Sequence, residues 1–308
     1  MSRVFQAVKK KSAEAICPSS EATTAQREAD DARHCEDPPV DPLALNVRSV
    51  AVHLPLRSPL FPFDESGSEA AEQYRMARTT IIQHPGNPRV LVVSSAGTRE
   101  GKTITAANLA SVFALKSDWR VLLVDADLRR SMVHTHFRLS RTPGLAEALQ
   151  GACHLEDVLI QVKQFPSLYV IPAGEPKVNP TELLDSCRWA TACDRFRGYF
   201  DYVVVDSPPV GAVADYDLIQ ASCDGVILVA RPDQTKRKCF LEVLEGIPRE
   251  KLIGVLMNCV EKWFLWKQPR YRYAYHDVRS DSEKAAPKET DGPDELSRRS
   301  IGRTPISP

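Results

Sequence analysis

Short, wholly apolar runs recur along the chain and are separated by segments with helical spacing. The runs are "RVLVVSS" (89–95), "RVLLVDAD" (120–127), "SLYVIPAG", "FDYVVVDSPP" (200–209), "DGVILVARP" (224–232) and "LIGVLMN" (252–258). Strands that are apolar at every position, and not at every second one, are buried on both faces. Their alternation with helices predicts an α/β fold with a mainly parallel β-sheet flanked by helices.

Helical patterns fill the intervals between these strands. A helix is expected over "SEAAEQYRMARTTIIQH" before the first strand, and another over "TITAANLASVFALK" directly after it. Shorter helices are expected over "GLAEALQG", "HLEDVLIQ" and "KCFLEVLEGI", and one between the strands at 200–209 and 224–232. "NPTELLDS" predicts a helix with Asn179 as its cap, Pro180 at its first position and Glu182 as capping-box partner.

Both ends of the chain differ in composition from its middle. We expect residues 1–63 to form a short helix with Phe5 and Val8, a disordered linker and an extended lead-in over 49–63. The linker is rich in Ala, Asp, Glu, Ser, Thr and Pro and cannot bury enough apolar surface to fold. One folded domain is expected over 64–262, followed by a disordered C-terminal tail at 263–308.

Composition excludes several classes of protein. The 308 residues carry 40 Lys and Arg against 40 Asp and Glu, so the net charge of zero argues against a general nucleic-acid binder. The eight cysteines form no CxxC pair, which is typical of reduced thiols in a cytosol. The apolar runs are strand-sized, well below the ~18 residues that span a bilayer. The N-terminus lacks the apolar core of a secretion signal, so a cytoplasmic protein is expected.

A phosphate-binding motif follows the first buried strand. "AGTREGKT" (96–103) has the Walker A pattern, with Ala96 in place of the usual first glycine, and it leads straight into a helix. Loop amides and a helix N-terminus can enclose phosphate oxygens. Lys102 is expected to reach the β- and γ-phosphates, and the Thr103 hydroxyl to ligate Mg²⁺. The residues predicted to bind nucleotide here are Gly97, Thr98, Arg99, Glu100, Gly101, Lys102, Thr103 and Ile104.

Carboxylates follow two further strands. "VLLVDADLR" gives Asp125 and Asp127, and "YVVVDSPP" gives Asp206. Because parallel strands present their carboxyl ends at one edge of the sheet, these side chains are expected beside the phosphate loop. Asp127 and Asp206, with Thr103, are predicted to position Mg²⁺. Asp215 is interpreted as a helix cap.

At the end of the last strand, Asn258 is expected at the nucleotide edge. It is a candidate for contact with the base, and a plain turn residue at a strand end is an equally good interpretation.

The three motifs together resemble the bacterial tyrosine kinases, or BY-kinases, of exopolysaccharide and capsule gene clusters. The resemblance covers roughly 64–262. Upstream, Glu72, Arg75 and Arg78 match that family's ExxRxxR subunit-contact helix. Downstream, "YRYAY" matches its C-terminal tyrosine cluster. Partition and septum-positioning ATPases share the fold but carry a second lysine in the phosphate loop, at the position where this chain has Gly97. A non-kinase ATPase switch of that type is the competing hypothesis.

The resemblance implies an ATP- and Mg²⁺-dependent protein tyrosine autokinase that regulates polysaccharide assembly or export. Lys102, Asp125, Asp127 and Asp206 would be catalytic, with Asp125 accepting the tyrosine proton; Asp125 and Asp127 could exchange roles. The implied partners are further copies of the chain, a cognate tyrosine phosphatase and an activating, membrane-embedded polysaccharide co-polymerase or chain-length regulator. That last partner would recruit this cytoplasmic protein to the cytosolic face of the inner membrane.

The tyrosine cluster is interpreted as the substrate. Tyr271, Tyr273 and Tyr275 follow the last strand closely enough to reach the chain's own site or a neighbour's, since twelve extended residues span at most ~40 Å. Residues 262–276 hold four basic side chains and no acidic one. Three phosphotyrosines would add roughly −5 and change the sign of that segment. The alternative is a basic, aromatic tail that lies on a membrane or a partner.

Overall fold

The computed structural model of the chain describes residues 47–52, 60 and 69–260. Several expectations lie outside these ranges and stay predictions. They are the N-terminal helix with Phe5 and Val8, the linker, the domain boundaries at 63 and 262, and the C-terminal tail with Tyr271, Tyr273 and Tyr275. The lead-in at 49–63 is described only in part.

Eight strands form one sheet within the described ranges. They are β1 (Arg48–Val50), β2 (Val90–Ser95), β3 (Val121–Asp125), β4 (Ile160–Val162), β5 (Phe165–Ile171), β6 (Tyr202–Asp206), β7 (Gly225–Ala230) and β8 (Leu252–Met257). Their order is β1-β4-β5-β3-β6-β2-β7-β8. Every neighbouring pair is parallel except the antiparallel pair β4–β5. The predicted mainly parallel α/β fold is confirmed.

The central strands are buried on both faces, as their sequences require. Every residue of β2, β3, β6 and β7 is buried. Alternate side chains enter two separate hydrophobic clusters, one on each face of the sheet. Val, Leu and Ile suit such strands because their branched side chains pack well on a pleated surface. Burial on both faces therefore fixes these strands in the middle of the molecule.

Eight α-helices are found in the described ranges. They are α1 (Glu69–Ile82), α2 (Lys102–Ala114), α3 (Val133–Phe137), α4 (Leu145–Gln150), α5 (Pro180–Leu184), α6 (Cys187–Tyr199), α7 (Asp215–Ala221) and α8 (Arg237–Gly246). α2 packs on one face of the sheet through Leu109 and Phe113, and α6 packs on the other through Trp189 and Phe196. None of the helices in these ranges is long and apolar enough to cross a membrane.

Two segments differ from expectation. "HLEDVLIQ" was expected to be helical, but it forms a single 3₁₀ turn (Glu156–Val158) and then enters β4. The reason is tertiary: β4 pairs with β1 on one side and with β5 on the other. Helix α6 was not identified from the sequence. Asn179 caps α5 as expected, since its side chain accepts a hydrogen bond from the Thr181 amide and Pro180 is the first helical residue.

The strand order decides what lies at the carboxyl edge of the sheet. β6 lies between β3 and β2, so the loops after these three strands are neighbours. Asp125 and Asp206 are direct register partners at the ends of β3 and β6. The phosphate loop follows β2, beside Asp206.

Candidate ATP and phosphoryl-transfer site

The loop between β2 and α2 ends at a glycine where any side chain would be strained. Gly101 is the N-cap of α2, with φ of 96° and no side-chain cap hydrogen bond. A Cβ there would lie 1.9 Å from Nδ2 of Asn258. The amides of the first helical turn have no capping side chain, and such a helix N-terminus attracts anions. The backbone around Lys102, Thr103 and Ile104 is thus suited to a phosphate group.

A buried carboxylate holds the loop in shape. Glu100 is 3% exposed. Its Oε2 accepts a hydrogen bond from the Gly97 amide at 3.0 Å, and its Oε1 accepts one from the Thr235 hydroxyl at 2.6 Å. Gln234 donates to the carbonyl of Thr98 at 2.7 Å. Arg99, between them, is exposed and has a positive φ of 63°. The Glu100 side chain therefore braces the loop, while its backbone lies in the predicted nucleotide-binding stretch.

Sequence reasoning missed Gln234 and Thr235. They lie just after β7, and no motif marks them. The only available signal was that the loop after β7 must lie beside the loop after β2, which depends on knowing the strand order.

Asn258 also contacts the phosphate loop. Its Nδ2 donates to the carbonyl of Glu100 at 3.1 Å, and its own amide donates to Ala230. The residue lies at the nucleotide edge, as expected. Its contact with the base stays a prediction.

Three aspartates surround the Lys102 ammonium group at this edge. Lys102 Nζ lies 2.9 Å from Oδ2 of Asp127. Asp125 and Asp206 are fully buried, and Asp127 is 3% exposed. Oδ2 of Asp125 accepts a hydrogen bond from the amide of Val133, the first residue of α3, at 3.1 Å. Sequence reasoning placed all four side chains together, and in the structure they are together.

Two of the aspartates hold oxygens that no described residue satisfies. Oδ1 of Asp125 and both carboxylate oxygens of Asp206 are buried without a hydrogen-bond partner among the described residues. The Thr103 hydroxyl lies beside Asp206 and favours its anion, but the contact falls short of hydrogen-bond geometry. Buried, unsatisfied carboxylate oxygens are costly unless a further group binds them.

Burial and mutual repulsion perturb these groups. Burial raises the pKa of Asp206 to about 6, against the opposing effects of Lys102 and Thr103. Burial, followed by the charge of Asp206, raises the pKa of Asp125 well above its usual range. Burial alone would lower the pKa of Lys102, but Asp206 and Asp127 outweigh it and raise that pKa. Two buried carboxylates that face each other cannot both ionise without a neighbouring cation.

The oxygen donors at this edge fit Mg²⁺. No group of three or more His, Cys, Asp and Glu side chains in the described ranges could hold a metal ion by itself. Mg²⁺ is commonly bound by one or two carboxylates together with waters and substrate phosphates. The unsatisfied oxygens of Asp206, the Asp127 carboxylate and the Thr103 hydroxyl form such a partial set.

The ExxRxxR residues of α1 do not share one surface. Arg75 forms an exposed ion pair with Glu72 at 2.9 Å. Arg78 points toward the protein interior and donates to the carbonyl of Val112 in α2 at 2.7 Å. Around the axis of an α-helix, side chains three residues apart point in directions that differ by about 60°. Arg78 follows Glu72 by six residues, so the two side chains point roughly 120° apart. The subunit contact stays a prediction. Within the motif, the exposed Glu72–Arg75 pair is the part that a second subunit could reach.

Asp215 is not a helix cap. The N-cap of α7 is Ala214, and Asp215 is the first helical residue. Its carboxylate is fully buried and forms an ion pair with Arg129 at 2.7 Å.

Comparison with known proteins identifies relatives of this site. The family model "AAA domain" matches residues 89–247. Tyrosine-protein kinase CpsD of Streptococcus agalactiae is 32% identical over 199 residues, which cover 63% of this chain and 86% of the relative. Tyrosine-protein kinase YwqD of Bacillus subtilis is 36% identical over 198 residues, covering 63% and 83%. The putative tyrosine-protein kinase EpsB of Ralstonia solanacearum is longer: 33% identity extends over 71% of this chain but only 30% of EpsB.

Solved structures agree with these relatives. The kinase domain of Escherichia coli tyrosine kinase ETK superposes with a TM-score of 0.62 at 27% identity, covering 76% of this chain and 96% of that domain. The chimerical protein CapA2B2 gives a TM-score of 0.62 at 27% identity, covering 71% and 96%. With the phosphate loop and its carboxylates in place, these likenesses show that the chain belongs to the bacterial tyrosine kinase family, of the CpsD and YwqD type, within the P-loop ATPases.

Proposed function

We propose that this chain is an ATP-dependent protein tyrosine kinase that phosphorylates Tyr271, Tyr273 and Tyr275 of another copy of itself. Through this reaction it regulates the assembly and export of exopolysaccharide or capsule. The observation that carries the proposal is the convergence of one lysine and three buried aspartates beside a phosphate-binding loop. Family membership supports the reaction type, and the tail residues lie outside the described ranges.

Phosphoryl transfer requires positioning and charge neutralisation more than covalent chemistry. The amides at the start of α2 and the Lys102 ammonium group would hold the β- and γ-phosphates. Thr103, Asp127 and Asp206 would hold Mg²⁺, whose positive charge, when it is bound, offsets the charge of the triphosphate. Occupying the Asp206 oxygens would also relieve the cost of burying them unsatisfied.

Asp125 is the preferred proton acceptor. A tyrosine hydroxyl is neutral at pH 7, so a nearby base is needed to take up its proton. Asp127 is already bound to Lys102, whereas one Asp125 oxygen has no partner among the described residues. Burial, followed by the charge of Asp206, raises the pKa of Asp125, which suits a proton acceptor. These contacts favour Asp125 over Asp127, which was the alternative left open by the sequence.

Self-association and a membrane partner belong to the same proposal. The exposed Glu72–Arg75 pair on α1 would contribute to contact between subunits. The partner would be the cytosolic part of a membrane-embedded polysaccharide co-polymerase, and a cognate phosphatase would remove the phosphate from the tyrosines by hydrolysis. The greater length of EpsB supports a kinase region that works with a further polypeptide. Met257, 45% exposed beside Asn258, offers apolar surface near the nucleotide edge for such contact.

The test is mass spectrometry of purified protein after incubation with Mg-ATP, with phosphate located by residue. Phosphate is expected on Tyr271, Tyr273 and Tyr275, and not after Lys102→Met. Transfer between molecules is tested by mixing the Lys102→Met chain with a kinase whose three tail tyrosines are changed to Phe. Labelling of the Lys102→Met tail supports the proposal. Absence of phosphate from all three tyrosines in the wild type, with and without the partner's cytosolic segment, refutes it.

A further inference from the structure

Arg129 makes an unusually dense set of contacts just beyond the carboxylates. It lies two residues after Asp127, and its side chain is 38% exposed. Nε donates to Oδ2 of Asp215 at 2.7 Å, and Nη2 lies 3.1 Å from Oδ1 of the same carboxylate. Nη2 also donates to Thr181 Oγ1 at 2.9 Å and to Asn179 Oδ1 at 3.2 Å. One guanidinium group is thus bound at four points.

These contacts join three loops at the edge that carries the site. Arg129 belongs to the loop after β3, Asn179 ends the loop after β5, and Thr181 lies in the first turn of α5. Asp215 begins α7, directly after the loop that follows Asp206 at the end of β6. The guanidinium therefore fixes the loop after β3, which carries the predicted metal ligand Asp127, against the start of α7. The loop before α7 follows the second predicted ligand, Asp206.

The Arg129–Asp215 pair has the geometry of a rigid contact. A guanidinium that meets a carboxylate through two parallel hydrogen bonds is held in orientation as well as in distance. The Thr181 hydroxyl donates to Oδ1 of Asp215 at 2.6 Å, so the buried carboxylate is well satisfied. Burial alone would raise the pKa of Asp215, but the hydrogen bonds from Arg129 and Thr181 outweigh it and lower that pKa. The pair stays ionised at neutral pH.

Asp127 depends on the loop that Arg129 holds. On one side its carboxylate is bound to Lys102, a residue that phosphate would draw away. The two residues that follow Asp127 in the chain are also held: Leu128 is buried in the core, and Arg129 forms an ion pair with Asp215. When nucleotide engages Lys102, the Asp127 carboxylate keeps the hydrogen bond that its Oδ1 accepts from the Arg130 amide at 2.9 Å. That amide belongs to the turn that Leu128 and Arg129 anchor.

We propose that Arg129 is a positioning residue which, by clasping Asp215 and Thr181, holds the Asp127 carboxylate where Mg²⁺ requires it. The inference rests on the proposed assignment of Asp127 to the metal. In this assignment Arg129 acts through Asp127 and needs no contact of its own with nucleotide or metal.

The experiment is titration of the full chain with a fluorescent ATP analogue, in Mg²⁺ and in EDTA. Arg129→Met should weaken binding about tenfold in Mg²⁺, within the range typical of residues that orient metal ligands. It should change binding in EDTA less than about twofold. Arg129→Lys keeps the charge but loses the two-point contact, so its loss in Mg²⁺ should approach that of Arg129→Met.

Three variants serve as controls. Asp127→Asn defines the effect of removing the ligand itself. Arg138→Met removes the same charge from an exposed residue at the C-terminal end of α3 and should bind like the wild type. Arg129→Met leaves the buried Asp215 carboxylate unpaired, which could unfold the protein. The double variant Arg129→Met with Asp215→Leu removes that charge and so controls for unfolding. The double variant should show the same Mg²⁺-specific loss.

The outcomes separate the inference from the proposed function. A wild type that binds the analogue equally well in Mg²⁺ and EDTA would overturn both. Suppose that Asp127→Asn no longer binds the analogue more tightly in Mg²⁺ than in EDTA, while Arg129→Met and the double variant still do. The inference alone is then wrong. Equal losses in Mg²⁺ and EDTA for Arg129→Met and the double variant also overturn it, because they indicate general damage to the fold.

Discussion

Gly101→Ala tests whether the phosphate loop and the last strand are locked together by close packing. Gly101 has a φ of 96°, a conformation that L-residues with a side chain rarely adopt. An added Cβ would lie 1.9 Å from Nδ2 of Asn258 and 3.1 Å from its Cγ. The Asn258 side chain must therefore move, and it loses its hydrogen bond to the Glu100 carbonyl.

The expected cost is the sum of two effects. A non-glycine residue in a left-handed conformation costs about 1–2 kcal/mol. The lost hydrogen bond of Asn258 adds about 1 kcal/mol. Gly101→Ala should therefore lower the free energy of unfolding by about 2–3 kcal/mol.

A double-mutant cycle with Asn258→Ala separates the two effects. Alone, Asn258→Ala should cost about 1 kcal/mol or more, because it removes the same hydrogen bond. In the Gly101→Ala background it should cost about 1 kcal/mol less, since the bond to Glu100 is already broken and only the hydrogen bond from the Cys259 amide remains to be lost. The coupling of about 1 kcal/mol is measured by guanidinium denaturation followed by circular dichroism. Nucleotide affinity should fall in every variant that contains Gly101→Ala.

Gly198→Ala is the matched control. Gly198 lies in α6, and a Cβ there would meet no atom within 4 Å. This change should stabilise the protein by about 0.5–1 kcal/mol, as alanine does in helices. The reasoning is refuted if Asn258→Ala costs the same in both backgrounds, or if Gly101→Ala is as benign as Gly198→Ala.

Three further predictions concern other parts of the molecule. Lys102→Met should weaken binding of the fluorescent nucleotide about 10- to 100-fold, because a charge-assisted hydrogen bond contributes about 1.5–3 kcal/mol; unchanged affinity would exclude Lys102 from the phosphate site. Burial alone would raise the pKa of Asp224, but Arg197 and two backbone amides at the start of β2 outweigh it and lower that pKa. The ionised Asp224 stabilises the fold above pH ~4, and this stabilisation is lost as the pH falls through the lowered pKa. The difference in free energy of unfolding between the wild type and Asp224→Asn, measured by urea denaturation, should therefore shrink as the pH is lowered. A difference that does not change with pH would contradict this. Alanine at Glu72 and Arg75 should reduce the mass seen by light scattering while changing stability by only about 0.3–0.5 kcal/mol, and an unchanged mass would mean that the pair is only a solvated contact.

The local pattern of the sequence determined the sheet, the phosphate loop and the cluster of carboxylates. β2, β3, β6 and β7 are apolar on both faces up to their carboxyl ends, because both of their faces are covered. That requirement is visible in the sequence of each strand. Asp125 and Asp206 follow such strands directly. Since parallel strands end at one edge, their meeting near Lys102 could be predicted without coordinates.

Only the tertiary structure decided which distant side chains meet. The Glu100 carboxylate binds Thr235, 135 residues away, and Arg129 binds Asp215, 86 residues away. Those contacts depend on the strand order and on the exact placement of loops, which no local pattern encodes. For the same reason "HLEDVLIQ" forms a 3₁₀ turn that leads into β4, between β1 and β5, and the Arg78 side chain contacts α2. Periodicity fixes which residues must be buried, whereas the partner of each buried polar group is set by packing across the whole chain.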